Sequence, residues 1–267
     1  MKIRVLALQY KINYLKTAAN LLKFERLIKK YRFLKPNLVI FPEYALTGPL
    51  YAHYDLSFKE NDPIFDRLSK LAKKYKVNLI PGSFVKKINN HRFNSSCFIN
   101  SNGKILGYYN KQNLWSTENK FLKSGVKSDI FKTNIGKIAI QICADLNSPL
   151  ISARYEKLKP DLIVNLALWS EEDKKAETKK TITTIEHTQT ELLVRARALE
   201  NKAFMIFCNH AGQFNIKART KRAYPETSIG NTMIVNPYGQ IIARASGNSQ
   251  QHVFSEINLS KCHWAKY

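Results

Sequence analysis

A cysteine near the middle of the chain has the sequence context of a reactive thiol. Cys143 directly follows the apolar run Ile138–Ile142, and Ser148-Pro149 a little further on is typical of the first turn of a helix. A thiol at a strand–helix junction feels the positive end of the helix dipole, which lowers its pKa and makes it a competent nucleophile. The competing interpretation is an inert buried cysteine, the commonest state of a free cysteine. Cys97, Cys208 and Cys262 fit that interpretation better.

Two charged residues also follow strand-like runs directly. Glu43 comes after Asn37–Phe41 and Pro42, where partial desolvation would raise the pKa of a carboxyl group toward the range of a general base. Lys111 comes after the run Lys104–Tyr109, where a fixed ammonium would stabilise a developing oxyanion. Taken alone, both signals are weak, and Glu43 is better explained as an ordinary exposed loop charge.

The elements that would position these residues alternate along the chain. Strand-like runs such as Ile3–Gln9 and Asp161–Leu168 are interleaved with helical periodicities, without a repeat or a flexible linker. This pattern predicts a single α/β domain over residues 1–267, with helices packed on sheet faces. In detail it predicts a helix capped by Thr17, a helix begun by Asp62-Pro63, a strand over Val77–Val85, a hairpin at Ser101-Asn102-Gly103, an exposed loop or lid over Glu171–Thr190 and a helix over Thr190–Lys202.

The sequence is strongly basic. Its 267 residues include 43 Lys and Arg against 20 Asp and Glu, which gives a formal net charge of +23. An excess of this size raises the hypothesis of a nucleic-acid or anionic-membrane partner. However, the basic residues are dispersed over the polar sides of helices, and no nucleic-acid-binding motif accompanies them. A solvated basic surface is therefore the favoured interpretation, and no nucleic-acid partner is expected.

We expect a cytoplasmic protein with free thiols and no membrane association. The run Ile3–Gln9 is interrupted by Arg4 and is followed by no small-residue cleavage site, so it predicts a strand rather than a signal peptide. No stretch of about 18 uncharged apolar residues, the length that spans a bilayer, occurs in the chain. Four cysteines in 267 residues are too few for a disulfide framework.

Considered together, the three charged or reactive segments resemble the signature of the carbon–nitrogen hydrolase superfamily, the nitrilase-like amidases. That signature is a Glu, a Lys and a Cys in this chain order, each after a strand. Here they are Glu43 in Phe-Pro-Glu-Tyr-Ala-Leu-Thr-Gly, Lys111 in Tyr-Asn-Lys-Gln-Asn-Leu-Trp and Cys143 in Ile-Cys-Ala-Asp.

Three later segments extend the resemblance over most of the chain. Residues 195–201 are similar to the family's Arg-Ala-x-Glu-Asn helix, residues 209–212 to its Asn-x-x-Gly strand end, and residues 236–239 to its Pro-x-Gly hairpin. The resemblance implies a four-layer αββα sandwich that pairs through helices into a homodimer. It also implies that the chain uses no metal and no organic cofactor.

The resemblance further implies a division of roles among the site residues. Cys143 would attack a carbonyl carbon, Glu43 would move the protons, and Lys111 with the backbone N–H of Ala144 would hold the oxyanion. Glu118 matches the family's second Glu, which supports the lysine. The implied function is a thiol amidohydrolase that cleaves a small linear amide or an N-carbamoyl compound through a Cys thioester.

Departures from the family pattern leave the substrate open. True nitrilases typically carry Cys-Trp-Glu at the nucleophile, whereas this chain has Cys143-Ala144-Asp145, which is closer to the amidase and carbamoylase branches. We expect Trp169 to line the pocket mouth and consider a substrate contact for His210, although a core tryptophan and a structural histidine are the competing interpretations. Asp145 tunes the nucleophile or serves as a local turn residue.

Two other functions are carried as alternatives. One is an acyltransferase on the same fold, in which an amine rather than water takes the acyl group. The other is a basic nucleic-acid-binding protein that has kept the fold, which requires its lysines to lie on one face. If the net charge has a role in an amidase, we expect it to favour anionic amides, with Arg154, Arg195 or Arg197 binding the substrate carboxylate.

Overall fold

A computed structural model describes residues 1–50, 53–170, 179–216 and 224–264. The strands within these residues are β1 (Lys2–Gln9), β2 (Leu38–Ile40), β3 (Asn78–Ile80), β4 (Ser83–Ile88), β5 (His91–Ile99), β6 (Ile105–Asn110), β7 (Ile130–Thr133), β8 (Gly136–Ile142), β9 (Leu162–Ala167), β10 (Phe204–Asn209), β11 (Gln213–Ile216), β12 (Tyr224–Thr227), β13 (Met233–Val235), β14 (Ile241–Arg244) and β15 (Gln251–Asn258). The α-helices are α1 (Thr17–Lys30), α2 (Pro63–Tyr75), α3 (Pro149–Leu158) and α4 (Lys179–Asn201).

Most of the strands belong to two large sheets. The seven-stranded sheet has the order β15-β1-β2-β3-β5-β4, with β6 also paired to β5, and β1, β2 and β3 are parallel. The six-stranded sheet has the order β14-β13-β10-β9-β8-β7, and β8, β9 and β10 are parallel. Parallel strands end at the same edge of a sheet, so each sheet gathers the loops that follow its strands.

The two sheets pack face to face across a shared apolar layer. In β1, Ile3 and Val5 enter the layer between the sheets, whereas Leu6 and Leu8 enter the layer under α1 and α2. Strands that are buried on both faces have near-continuous apolar sequences, which is why β1 is so apolar.

The second sheet repeats this arrangement with α3 and α4 on its outer face. In β9, Leu162 and Val164 face the first sheet, whereas Ile163 and Ala167 pack in the layer that holds residues of α3 and α4. The resulting order is helices, sheet, sheet, helices. This confirms the α/β class and the four-layer αββα sandwich.

Local sequence signals located most elements but erred in detail. Asp62 caps α2 as predicted, since its side chain accepts a hydrogen bond from Ile64 N–H at 3.0 Å. Thr17 is not a cap, because it is the first residue of α1 and Lys16 precedes it without a capping side chain. The strand predicted over Val77–Val85 is divided into β3 and β4 by a turn at Pro81-Gly82.

The segment predicted as a loop or lid contains the first half of α4. Residues 179–190 are helical, and the prediction for residues 171–178 lies outside the described residues. This half of α4 lacks a sustained apolar stripe, which is why sequence periodicity did not reveal it. None of the described helices is both long enough and apolar enough to cross a membrane.

Gly82 brings the turn after β3 against the loop that carries Glu43. It has a φ of +81°, and a Cβ atom built on it would lie 2.0 Å from the carbonyl oxygen of Pro42. The turn is tied to the same loop by a hydrogen bond from Tyr44 N–H to Ser83 Oγ at 3.0 Å. Only glycine combines this φ with so close a backbone approach.

We therefore expect Gly82→Ala to lower the free energy of unfolding by about 2–4 kcal/mol, since it adds both φ strain and overpacking. Urea denaturation measures the effect. Gly247→Ala is the matched control, because Gly247 has no positive φ and no atom lies within 4 Å of its added Cβ. Equal stability of the two variants would contradict the close approach.

Candidate active site

Loops that follow three strands meet at one cavity. Glu43 lies just beyond β2, Lys111 directly after β6 and Cys143 directly after β8. All three residues line a cavity of about 540 Å³. This volume is in the range of small-molecule sites. The two sheets thus bring together residues that are far apart in sequence.

Lys111 is held between two carboxylates. Its Nζ lies 3.0 Å from Glu43 Oε1 and 2.7 Å from Glu118 Oε2. Asn94 Nδ2 donates to Glu43 Oε1 at 2.8 Å and to Glu118 Oε1 at 3.0 Å. All four side chains are buried. Removing one partner of such a buried ion pair leaves an uncompensated charge, so these groups depend on one another.

Glu43 faces the cavity as a carboxylate with a raised pKa. Its Oε2 accepts a hydrogen bond from the backbone N–H of Leu168 at 2.9 Å. Complete burial raises the pKa of Glu43, the positive charge of Lys111 opposes this and the negative charge of Glu118 adds to it. A carboxylate whose pKa is raised toward neutrality has the properties of a general base.

Glu118 remains ionised next to Lys111. It accepts hydrogen bonds from the Tyr44 hydroxyl and from the Trp115 backbone N–H, the latter at 2.8 Å. Burial alone would raise the pKa of Glu118, but Lys111 and these donors outweigh it and lower the pKa below its ordinary value.

Lys111 is a permanent cation. Burial alone would lower its pKa, but the charges of Glu43 and Glu118 outweigh burial and raise the pKa well above its ordinary value. A fixed ammonium with no proton to lose at neutral pH suits electrostatic stabilisation of an oxyanion rather than proton transfer.

Cys143 is a partly buried thiol in a constrained backbone conformation. Its φ of +45° is in the left-handed region, which a non-glycine residue occupies only where the surrounding structure enforces it. A 3-10 turn, Cys143–Asn147, separates it from α3. Burial raises the pKa of Cys143 well above its ordinary value, and Glu43 adds to this while Lys111 opposes it. The expectation of a lowered pKa was therefore wrong, since α3 begins too far away and burial dominates.

Asp145 ties the loop of Lys111 to the loop of Cys143. Its Oδ1 accepts from the backbone N–H groups of Gln112 and Asn113 at 3.0 and 2.7 Å. Its Oδ2 accepts from Ile142 N–H at 2.9 Å and from the Tyr109 hydroxyl at 2.7 Å. Of the two roles considered from sequence, these contacts support the turn residue, and they extend it across the two sheets.

Of the three residues predicted to contact the substrate, two line the cavity and one does not. Ala144 and Trp169 line the cavity. His210 is not among the described residues that line it. It is fully buried, and its Nε2 lies 3.1 Å from Ser170 Oγ. Burial lowers the pKa of His210 to about 3, so the ring is neutral. These contacts are those of a structural histidine, the competing interpretation.

The three candidate arginines also lie elsewhere. Arg154 donates to Gln112 Oε1 at 2.7 Å, and Arg195 donates to the carbonyl oxygen of Gly239 at 2.8 Å. Arg197 pairs with Glu200 at 2.9 Å. None is among the described residues that line the cavity, so the structure does not bring them to a substrate.

Sequence reasoning missed two groups of site residues. Asn94 was not identified, although polar residues at 94–96 inside a buried strand are a usable signal. Tyr44, which binds Glu118, carried no signal beyond its position after Glu43. The cavity wall formed by α4 was also missed. Glu186 and Gln189 lie in the segment predicted to be a loop, whereas Leu192 and Leu193 lie in the part predicted to be helical.

The described residues contain no group of three or more His, Cys, Asp or Glu side chains arranged to hold a metal ion. The reactive groups of the cavity are a thiol, two carboxylates and an ammonium. These are sufficient in kind for nucleophilic catalysis with general acid–base assistance.

Comparison with known proteins identifies the family. The family model for carbon–nitrogen hydrolases matches residues 4–267. The chain is 25% identical over 265 residues to the 2-oxoglutaramate amidase of Bacillus subtilis, covering 98% of this chain and 93% of that protein. It is 29% identical over 211 residues to a probable nitrilase of Schizosaccharomyces pombe, covering 77% and 70% of the two chains.

Solved structures show the same fold. A carbon–nitrogen hydrolase from Helicobacter pylori superposes with a TM-score of 0.86 at 19% identity, over 97% of this chain and 90% of that one. Nit3 of Saccharomyces cerevisiae, a member of the nitrilase superfamily, superposes with a TM-score of 0.79 at 23% identity, over 96% and 89%. The chain thus belongs to the carbon–nitrogen hydrolase family and is an enzyme of that family.

Proposed function

We propose that this enzyme is a thiol amidohydrolase that cleaves a small linear amide or N-carbamoyl compound through a thioester on Cys143. The observation that carries the proposal is the buried Glu43–Lys111–Glu118 ion-pair chain at the same cavity as Cys143. It supplies a base beside a thiol and a fixed positive charge, the groups that acyl transfer requires.

In the first half-reaction, Glu43 accepts the Sγ proton of Cys143 while the sulfur forms a bond to the carbonyl carbon. The oxyanion that develops is stabilised by Lys111 Nζ and by the backbone N–H of Ala144. Collapse of this intermediate breaks the C–N bond, and Glu43 returns its proton to the departing ammonia or amine. The acyl group remains on Cys143 as a thioester.

In the second half-reaction, Glu43 accepts a proton from a water molecule, which attacks the thioester carbon. Collapse breaks the C–S bond, releases the acid and returns the proton to the sulfur. Glu118 is a positioning residue in both halves, because it holds Lys111 and compensates its charge. The raised pKa of Cys143 supports this scheme, since a resting thiol needs the base that Glu43 provides.

The substrate class follows from the cavity and the relatives. A volume of about 540 Å³ admits a small molecule. The name of the Bacillus subtilis relative points to an ω-amide that carries a carboxylate as one candidate substrate. An amine in place of water would make the enzyme an acyltransferase, and product analysis with added amines distinguishes the two reactions.

We expect Cys143→Ala to lower kcat by about a thousandfold or more, because the thioester route is lost. Ammonia release from a panel of amides measures this. Cys262→Ala is the matched control, since Cys262 is a partly buried thiol that does not line the cavity. Substantial turnover by the Cys143 variant would sink the assignment of the nucleophile.

We expect kcat/KM to fall on the acid side as Glu43 gains a proton and ceases to act as a base. Because burial raises the pKa of Glu43, this limb lies above pH 4.5, the ordinary value of a glutamate. Glu43→Asp, which keeps the carboxylate but shortens its reach, should move the limb and lower kcat. An acid limb at or below pH 4.5 would argue against Glu43 as the base.

We also propose that the chain forms a homodimer. The outer helices α3 and α4 expose large apolar side chains, with exposed fractions of 72% for Leu150, 61% for Leu192 and 40% for Leu199. Exposed large apolar side chains on two helices that pack against each other favour an interface between two copies of the chain. Sedimentation velocity should give a dimer at micromolar concentration, and a monomer throughout would refute the proposal.

A further inference from the structure

A third carboxylate lines the cavity in addition to Glu43 and Glu118. Glu186 lies on α4, which forms a different part of the cavity wall from the loops that carry Glu43 and Glu118. It takes no part in the ion-pair chain around Lys111 and has no role in the steps proposed above. Its side chain is partly buried, so an ion that paired with it would be partly shielded from water.

Glu186 is oriented by Trp169. The indole Nε1 donates to Glu186 Oε2 at 2.5 Å. Trp169 is itself fixed, because its backbone N–H donates to Asn209 Oδ1 at 2.9 Å and its ring packs edge-on against Phe207. The carboxylate is therefore held at a defined place on the wall rather than free to turn toward solvent.

The same stretch of chain positions the catalytic base. Leu168, immediately before Trp169, donates its backbone N–H to Glu43 Oε2. Consecutive residues after β9 thus contact both the carboxylate at the reacting centre and the carboxylate on α4.

The charges of the cavity disfavour an anionic substrate. Among the described residues, Lys111 is the only cation that lines it, and its ammonium is already paired with Glu43 and Glu118. Among the described residues that line the cavity there are therefore three carboxylates and one ammonium, although the chain as a whole has a net charge of +23. A substrate carboxylate would meet like charge, whereas a substrate cation would meet Glu186.

Apolar side chains also line the cavity. These are Leu168, Leu192, Leu193 and the ring of Trp115. Such a surface suits a chain of methylene groups, because their burial is favourable. The cavity thus combines the reacting groups with apolar surface and a further carboxylate.

We propose that Glu186 selects linear amides whose far end is a primary ammonium, and binds that ammonium while Cys143 attacks the amide carbon. This inference rests on the proposed amidohydrolase function and adds its substrate class. It favours a cationic amide over the carboxylate-bearing amide that the name of the Bacillus subtilis relative suggests and over the anionic amides expected from net charge, because the charge that a substrate meets is that of the cavity.

The test uses three amides of matched length, which are ω-aminopentanamide, hexanamide and adipic acid monoamide. For the unmodified enzyme we expect kcat/KM to follow the order cation, neutral, anion, with at least about a tenfold preference for the cation over the neutral amide. Glu186→Gln should reduce the cation-to-neutral ratio about tenfold and raise the relative rate of the anion.

Glu191→Gln is the matched control, because it removes one negative charge from the same helix without altering the cavity lining. It should leave both ratios unchanged. A preference for the anion, or a ratio that Glu186→Gln does not alter, would overturn the inference while amide hydrolysis continues. If Glu186→Gln does not fold, the order found for the unmodified enzyme decides. No Cys143-dependent turnover of any amide would instead overturn the proposed function.

Discussion

The site depends on keeping the ammonium of Lys111 charged inside the protein. Transferring an isolated ammonium from water to the interior costs several kcal/mol, so it must be compensated where it lies. Glu43 and Glu118 compensate it at 3.0 and 2.7 Å, and Asn94 joins the two carboxylates. Because the charge of each group is compensated by the others, removing one group would leave an uncompensated buried charge on its partners. The two carboxylates explain why Lys111 retains its proton, whereas burial and the charge of Glu118 raise the pKa of Glu43 against the opposing charge of Lys111.

The sandwich assembles the complete site, including Cys143, by bringing together loops from both sheets. Glu43 and Lys111 follow strands of the first sheet, whereas Cys143 and Leu168 follow strands of the second. The apolar layer between the sheets sets their distance, and polar contacts fix the final alignment. The Leu168 N–H binds Glu43, and Asp145 binds the backbone just after Lys111. The catalytic groups are therefore held by backbone donors and packed strands rather than by flexible side chains.

Strand-end chemistry was predictable from sequence, whereas its electrostatics were predictable only in part: the raised pKa of Glu43 was expected, and the raised pKa of Cys143 was not. Apolar runs directly before Glu43, Lys111 and Cys143 located three strands and the loops that follow them, and apolar residues on both faces explained the layered fold. The direction of the pKa shift of Cys143 was not predictable, because it depends on burial and on the charge of Glu43, and neither is visible in a local segment.

The contribution of α4 was hidden for a related reason. Glu186 and Gln189 in its first half line a cavity rather than a core, and the sequence of that half lacks the periodicity that reveals most helices. As a result Glu186, which lies on that half, could not be placed near Trp169 from sequence. Likewise His210 is polar in sequence but buried in the fold, where a neutral ring bonds to Ser170.

The protonation state of Cys143 in the free enzyme tests the central claim most directly. The S–H stretching band in the infrared spectrum, compared at neutral pH between the unmodified enzyme and Cys143→Ala, reports whether this residue carries a proton. If Cys143 is a thiol that Glu43 deprotonates only during the reaction, the variant should lose the S–H band of one thiol. Its thiolate absorbance in the ultraviolet should then equal that of the unmodified enzyme. An unchanged S–H band, with loss of thiolate absorbance in the variant, would show a preformed thiolate and contradict activation by Glu43.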